Sequence, residues 1–313
     1  MRVDESPETD ADIDPATAFS VIASETRLDI LEALWRAEDR PVRFSELFDA
    51  VELADSGQFN YHLQELTGQF VSQGVDGYDL RHAGAQVIRA VRAGTFTRTP
   101  DIDPFPVTGA CTRCGGGLLA EYADEQFAID CEDCGKAHGE YPFPPGGLVD
   151  RTPAEVATAF AERVRHLHCL AADGVCPDCA GRMETEISRD GDCCLDVSVR
   201  AEFVCEQCRH ELCSPVGLTL LDDSRVAAFY DDHGVDLSSR PYWTLPWCVD
   251  DQYTTVEGTD VAARGPDSAG RGGTDRLSGQ GPPASRVRAA GLRALSRFAG
   301  YTVGAVPSEL FSR

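Results

Sequence analysis

The stretch DSGQFNYHLQELTGQFVSQGVDGYDLR, residues Asp55–Arg81, decides how the rest of the chain is read. Phe59, Leu63, Leu66 and Phe70 recur at helical spacing, so one stripe of a short helix is apolar and seeks a core. Asp55, with Gln58 three residues later, gives that helix a capping-box-like start. The opposite face carries Ser56, Gln58, Asn60, Tyr61 and Gln64, short or planar donors and acceptors. Asn and Gln side chains are suited to reading base edges in a DNA major groove. Beyond the helix, Phe70–Gln73 and Tyr78–Arg81 flank Asp76-Gly77, a hairpin turn signal. A helix followed by a hairpin is the pattern of a recognition helix and its wing. A polar helix face is more often plain solvated surface, so the flanking residues must decide.

Upstream, Ser24-Glu25-Thr26-Arg27 opens a helix with Leu28, Leu31, Leu34 and Trp35 on one side. Phe44, Leu47, Phe48 and Val51 mark a second short amphipathic helix, set before the first stretch by a turn that suits helix-turn-helix. With SETRLDILEAL, FSELFDAV, SGQFNYHLQEL and GYDLRHAG in that order, residues Ala23–Ala93 resemble the winged-helix repressors of the ArsR type. The resemblance implies a transcription regulator that binds double-stranded DNA, commonly as a homodimer. Ser56, Gln58, Asn60 and Tyr61 would then contact bases, joined by Gln64. Arg43 before the turn and Arg81 in the wing would meet phosphate or the minor groove.

The formal charge of −24 argues at first against such a partner. The residue choice behind it matters more: Lys136 is the single lysine among 28 cationic residues, against 52 acids. An acid-rich, lysine-poor surface is what a halophile's cytosol favours, because the Debye length is ~3 Å at about 1 M salt. Repulsion of DNA is then weak, and counterion release contributes little. Binding would rest on groove fit and base contacts. The acidic start, residues 1–12, is neither a signal peptide nor periodic and reads as disordered. No apolar run approaches the ~20 residues that span a bilayer. A cytoplasmic protein without membrane partners is expected.

Thirteen cysteines in a reducing compartment point to metal rather than disulfides. Cys111-Thr112-Arg113-Cys114 and Cys131-Glu132-Asp133-Cys134 form two knuckles that can deliver four thiolates to one tetrahedral Zn²⁺. Leu118–Tyr122 and Gln126–Asp130 would be the hairpin between them, and the pattern resembles a zinc ribbon. Cys176-Pro177-Asp178-Cys179 and Cys205-Glu206-Gln207-Cys208 repeat the knuckle pair with a longer spacer. Met183–Ile187 and the alternating Leu195, Val197, Val199, Ala201 and Phe203 would be its strands. Two structural zinc sites are expected, each closed by four sulfurs. Cys193-Cys194 leave open which thiols ligate in the second, and sensing by that pair is the lesser reading. Cys169, Cys213 and Cys248 read as small buried residues.

The expected fold is α+β. A winged helix-turn-helix (13–95) follows the acidic start, then a linker (96–107), a zinc ribbon (108–147) and a second four-cysteine, zinc-binding α+β domain (151–258). The second domain opens on a helix capped by Thr152-Pro153-Ala154-Glu155 and closes on Tyr242, Trp243, Leu245, Trp247 and Tyr253, read as core before pocket. His166 or His168 facing a ligand pocket stays open, as does any small-molecule effector. Residues Thr152–Tyr253 resemble the C-terminal regions of haloarchaeal ArsR-like regulators, which carries no mechanism with it. From Val261 eight arginines face three acids, so this tail is +5 and the rest of the chain −29. Residues 259–313 are either a disordered basic arm, with Ser285–Phe298 its one candidate helix, or the product of a shifted reading frame; the second is favoured. No Ser/His/Asp order, phosphate loop or open metal site suggests an enzyme. The rival reading is a protein-interaction module that uses winged helix and ribbons as docking surfaces.

Overall fold

The computed structural model describes residues 13–189, 197–251, 254–256, 287–288 and 301–303. The chain divides into two compact units, Met1–Thr99 with Pro144–Gly146, and Pro100–Phe143 with Gly147–Arg313. The expectation for residues 1–12 lies outside the described residues.

The first unit runs α1 (Pro15–Ile22), α2 (Glu25–Arg36), α3 (Phe44–Ala50), α4 (Ser56–Leu66), β1 (Val71–Gln73), β2 (Tyr78–Leu80) and α5 (His82–Ala93). Its core joins Ile30, Leu31 and Leu34 of α2 to Leu47 of α3, Phe59, Leu63 and Leu66 of α4, and Ile88 of α5. Each such side chain contributes about 1.5–3 kcal/mol by leaving water. The Asp55 carboxylate caps α4, accepting from the amides of Gly57 at 2.7 Å and Gln58 at 3.3 Å. Among the described residues no hydrogen bond returns from the Gln58 side chain, so this is a one-sided cap rather than a full box.

β1 and β2 pair antiparallel, Val71 opposite Leu80 and Gln73 opposite Tyr78. Gly77 turns the hairpin at φ 147, and a Cβ there would lie 2.3 Å from the Val42 carbonyl oxygen. That closeness has a cause: Val42 and Tyr78 exchange both backbone hydrogen bonds at 2.8 Å. Val42, two residues before α3, thus adds a one-residue edge to the hairpin.

Two of the antiparallel sheets in the second unit share its core. The first orders β3 (Phe105–Val107), β4 (Leu118–Ala123), β5 (Gln126–Cys131) and β6 (Ala137–Pro142); the second orders β7 (Met183–Ser188), β8 (Arg200–Cys205) and β9 (Glu211–Pro215). Between them in sequence runs α6 (Pro153–Ala172), whose Thr152 and Glu155 make the reciprocal box expected of them. Both sheets, α6 and Tyr242–Val249 share one core. At its centre the Phe160 ring lies 4.4 Å from that of Phe127 and 6.2 Å from those of Tyr242 and Trp243. Tyr242 and Trp243 are each 1% exposed, so the aromatic segment is core rather than pocket lining.

Several expectations are corrected here. Phe105–Val107 is not linker but strand β3, paired with β4. Of the alternating run expected from Leu195, residues 195–196 lie outside the described residues and residues 197–199 are not strand, which begins at Arg200; the Val199 amide instead donates to Asp251 at 3.0 Å, which takes it out of the ladder. Val216–Asp232, readable from its sequence as a helix or helix pair, is a 3₁₀ turn, Val216–Leu220, followed by helix α7 (Ser224–Asp232), which the Asp223 carboxylate caps. After the short helix α8 (Pro246–Val249), β10 (Thr254–Val256) pairs with β12 (Tyr301–Val303), which also pairs with β11 (Val287–Arg288). Val287–Arg288 is therefore strand where a basic helix was expected; apart from β11 and β12, the tail lies outside the described residues. Among the described residues, no helix is long and apolar enough to cross a membrane.

Candidate functional site

The eight cysteines of the four knuckles gather into two clusters, Cys111, Cys114, Cys131 and Cys134, and Cys176, Cys179, Cys205 and Cys208. In each, all four sulfurs lie within 4.8 Å of one another. The nearest pairs are Cys114 and Cys131 at 3.4 Å, Cys179 and Cys205 at 3.5 Å, and Cys111–Cys134 and Cys176–Cys208 at 3.6 Å. A tetrahedron of thiolates about 2.3 Å from a central zinc has edges of about 3.8 Å, whereas a disulfide would need about 2.05 Å. The donor set and spacing fit a metal ion such as zinc in each cluster, and not a pair of disulfides.

Backbone geometry builds both clusters the same way. The amide of the first cysteine donates to the carbonyl five residues on, Cys111 to Gly116 and Cys176 to Gly181. The third cysteine does likewise, Cys131 to Lys136 and Cys205 to His210. The residue after each second and fourth cysteine is left-handed: Gly115 at φ 78, Ala180 at 60, Gly135 at 67 and Arg209 at 63. Each third cysteine ends the middle strand, where Cys131 faces Leu118 and Cys205 faces Met183. The two clusters are one structural unit used twice. They differ at the hairpin tip, where the turn Asp124-Glu125 is replaced by residues 189–199. Cys193 and Cys194 fall in that replacement, outside the described residues, and the second cluster is complete in its four knuckle cysteines.

Electrostatics also favours a cation in the clusters. The Cys208 backbone amide favours the Cys205 thiolate over the opposing effect of burial, and holds its pKa down to about 6. The Cys208 thiol, although favoured toward ionisation by the His210 amide, is pushed up to about 12 mainly by Cys179 and by burial. Crowded thiols lose their first proton easily and resist losing more; a bound dication removes that resistance. His210 Nδ1 lies 2.6 Å from Asp178 Oδ2 and ties the two knuckles of the second cluster together. Beyond the first cluster, Lys136 is 3% exposed and pairs with Asp250 at 3.2 Å. Neither contact was read from the sequence. The lone lysine of an arginine-rich chain was the available signal for the second.

Residues 108–264, half of the chain, match the family described as Domain of unknown function (DUF7351). The chain belongs to that family. Both four-cysteine clusters lie inside the DUF7351 match, so the family's domain includes the doubled unit and the core around it. A second match, to Domain of unknown function (DUF7347), covers residues 15–91 and so runs from α1 into α5. No curated protein and no solved structure matches the chain.

In the region of the DUF7347 match, α4 presents the residues singled out above. Ser56, Gln58, Asn60, Tyr61 and Gln64 are all exposed, Tyr61 at 56%. Arg27 sits behind Tyr61, its guanidinium carbon 5.9 Å from the ring centre, and donates to the Val21 carbonyl at 2.9 Å. Arg43 and Arg81 are exposed as well, each with a partner: Arg43 lies 3.9 Å from Glu46, and Arg81 donates to the Gly68 carbonyl. Of the remaining candidates, Cys248 is buried and Cys169 and Cys213 are half-buried. His166 is exposed on the surface of α6, and His168 is enclosed in the core.

Proposed function

We propose that this DUF7351-family chain is a sequence-specific regulator of transcription that binds double-stranded DNA through an ArsR-like winged helix at residues 13–95. Its C-terminal domain is held together by two structural zinc ions. One observation carries the reading: α4 places five uncharged polar side chains on its solvent side, beside a hairpin and two helices behind it. A recognition helix needs that combination, because the groove-facing side must be free while the other side is fixed by packing. The zinc assignment rests on the all-sulfur donor sets, which leave no open coordination position and so suit structure rather than catalysis.

Selection from random duplex DNA with the full chain in molar KCl tests the reading. An enriched motif is expected, and Asn60→Ala should cost about 1–3 kcal/mol of discrimination at one base pair within it. A specific observation favours the rival docking reading: the arginines flanking the hairpin are engaged, Arg40 with Asp79 at 3.6 Å and Arg43 with Glu46. If no sequence is enriched, the DNA reading falls and that rival stands.

A further inference from the structure

The outward side of α4 is uneven. At 100° per residue, Gly57, Tyr61, Gln64 and Glu65 fall on the side opposite Phe59, Leu63 and Leu66, and Asn60 stands on the edge of that side next to Gln64. Gly57 leaves the first turn of that side bare, with only the Asp55 carboxylate within 4 Å of where a Cβ would be. A duplex can therefore approach the backbone there. Asn60 and Gln64 stand one turn apart, both exposed, and neither side chain is spent on a hydrogen bond among the described residues. Elsewhere in this unit Gln73 donates to the Tyr78 hydroxyl and Gln86 pairs with His82 at 3.0 Å, while Gln58, unspent like Asn60 and Gln64, lies about 120° round α4 from Gln64 and off the edge that these two share.

The chemistry of these two groups is selective. A carboxamide has one acceptor and one donor side by side, which match the N6 donor and N7 acceptor of adenine in the major groove. Guanine, with two acceptors there, is read bidentately by arginine or lysine. α4 has neither, since its eleven residues are Ser56–Leu66 with His62 as the one basic side chain. His62 is half-buried and accepts from Arg27 at 3.4 Å.

Resting on the DNA reading above, we infer that Asn60 and Gln64 are the specificity-determining pair and that each reads an adenine. Four residues of helix advance about 6 Å, so the two adenines lie one or two base pairs apart. A·T pairs at those two positions are the signature of the site; G·C pairs are rejected because α4 brings no arginine or lysine to guanine.

The full chain and the duplex selected above supply the test. Each adenine is replaced in turn by 7-deazaadenine, which keeps the base pair and removes only the N7 acceptor. Binding should weaken about fivefold or more at two positions within two base pairs of each other. In Asn60→Ala one of these positions should lose its sensitivity, and in Gln64→Ala the other. Both side chains are exposed, so the variants should unfold at the wild-type midpoint. A selected motif whose binding is indifferent to every 7-deaza substitution overturns this inference and leaves the DNA reading intact. So does sensitivity that persists in both variants. Failure to select any motif overturns the DNA reading itself.

Discussion

His168 has no exposed surface, and its ring lies edge-on to Tyr141 with centroids 5.3 Å apart. Burial disfavours the charged imidazolium and holds its pKa down to about 3, against 6.5 for the free side chain. The folded chain therefore binds fewer protons than the unfolded one between those values, and stability falls as pH drops below 6.5. From pH 7.5 to 5 the loss attributable to this group is about 2 kcal/mol. Urea unfolding at the two pH values should show the loss in the wild type and a smaller one in His168→Phe; equal losses would show that the ring is solvated. His168 was legible in part, since it lies four residues after Val164 on the apolar stripe of α6. His166, two positions away, is exposed, and only the packing of β6 and β8 on α6 separates the two. Lys136 gave no periodic signal, because its burial depends on Asp250, which is remote in sequence.

Elements with their own apolar period were readable, and elements that exist by pairing were not. α2, α3, α4 and α6 each carry a stripe that the folded core uses. β6 and β9 were missed: their strand state comes from the ladders offered by β5 and β8. The knuckles were readable from cysteine spacing. Their left-handed residues were only half so, since Ala180 and Arg209 occupy positions that glycine fills in the first cluster. At this scale Arg27 is the residue that fixes the pose of α4, through Val21, His62 and Glu65. Its side chain is 11% exposed, so these contacts are little screened. Arg27→Ala should destabilise the first unit by about 1–3 kcal/mol in urea and weaken DNA binding, although Arg27 itself sits behind Tyr61. An unchanged midpoint would mean that packing alone holds α4.

For the molecule as a whole, the doubled four-cysteine unit and its single core have a thermodynamic consequence. Both clusters contribute to one continuous set of buried side chains, including Cys111, Cys131, Cys176 and Cys205. Metal binding is then folding free energy for the same core. Two zinc ions per chain should be released to a chromogenic chelator together with loss of secondary structure. Release with secondary structure retained would show that the sites are dispensable. Net charge works at this scale too: at −24 the chain repels DNA in dilute buffer, and in molar salt that repulsion is screened within about 3 Å. On the DNA-binding reading proposed above, recognition would be left to the polar side of α4, where Glu65 is paired with Arg27. Genomic occupancy of the tagged full chain, mapped at native salt, tests this most directly. Discrete peaks sharing one motif, lost in a strain carrying both Asn60→Ala and Gln64→Ala, are expected; uniform occupancy, or peaks that survive the double substitution, would contradict it.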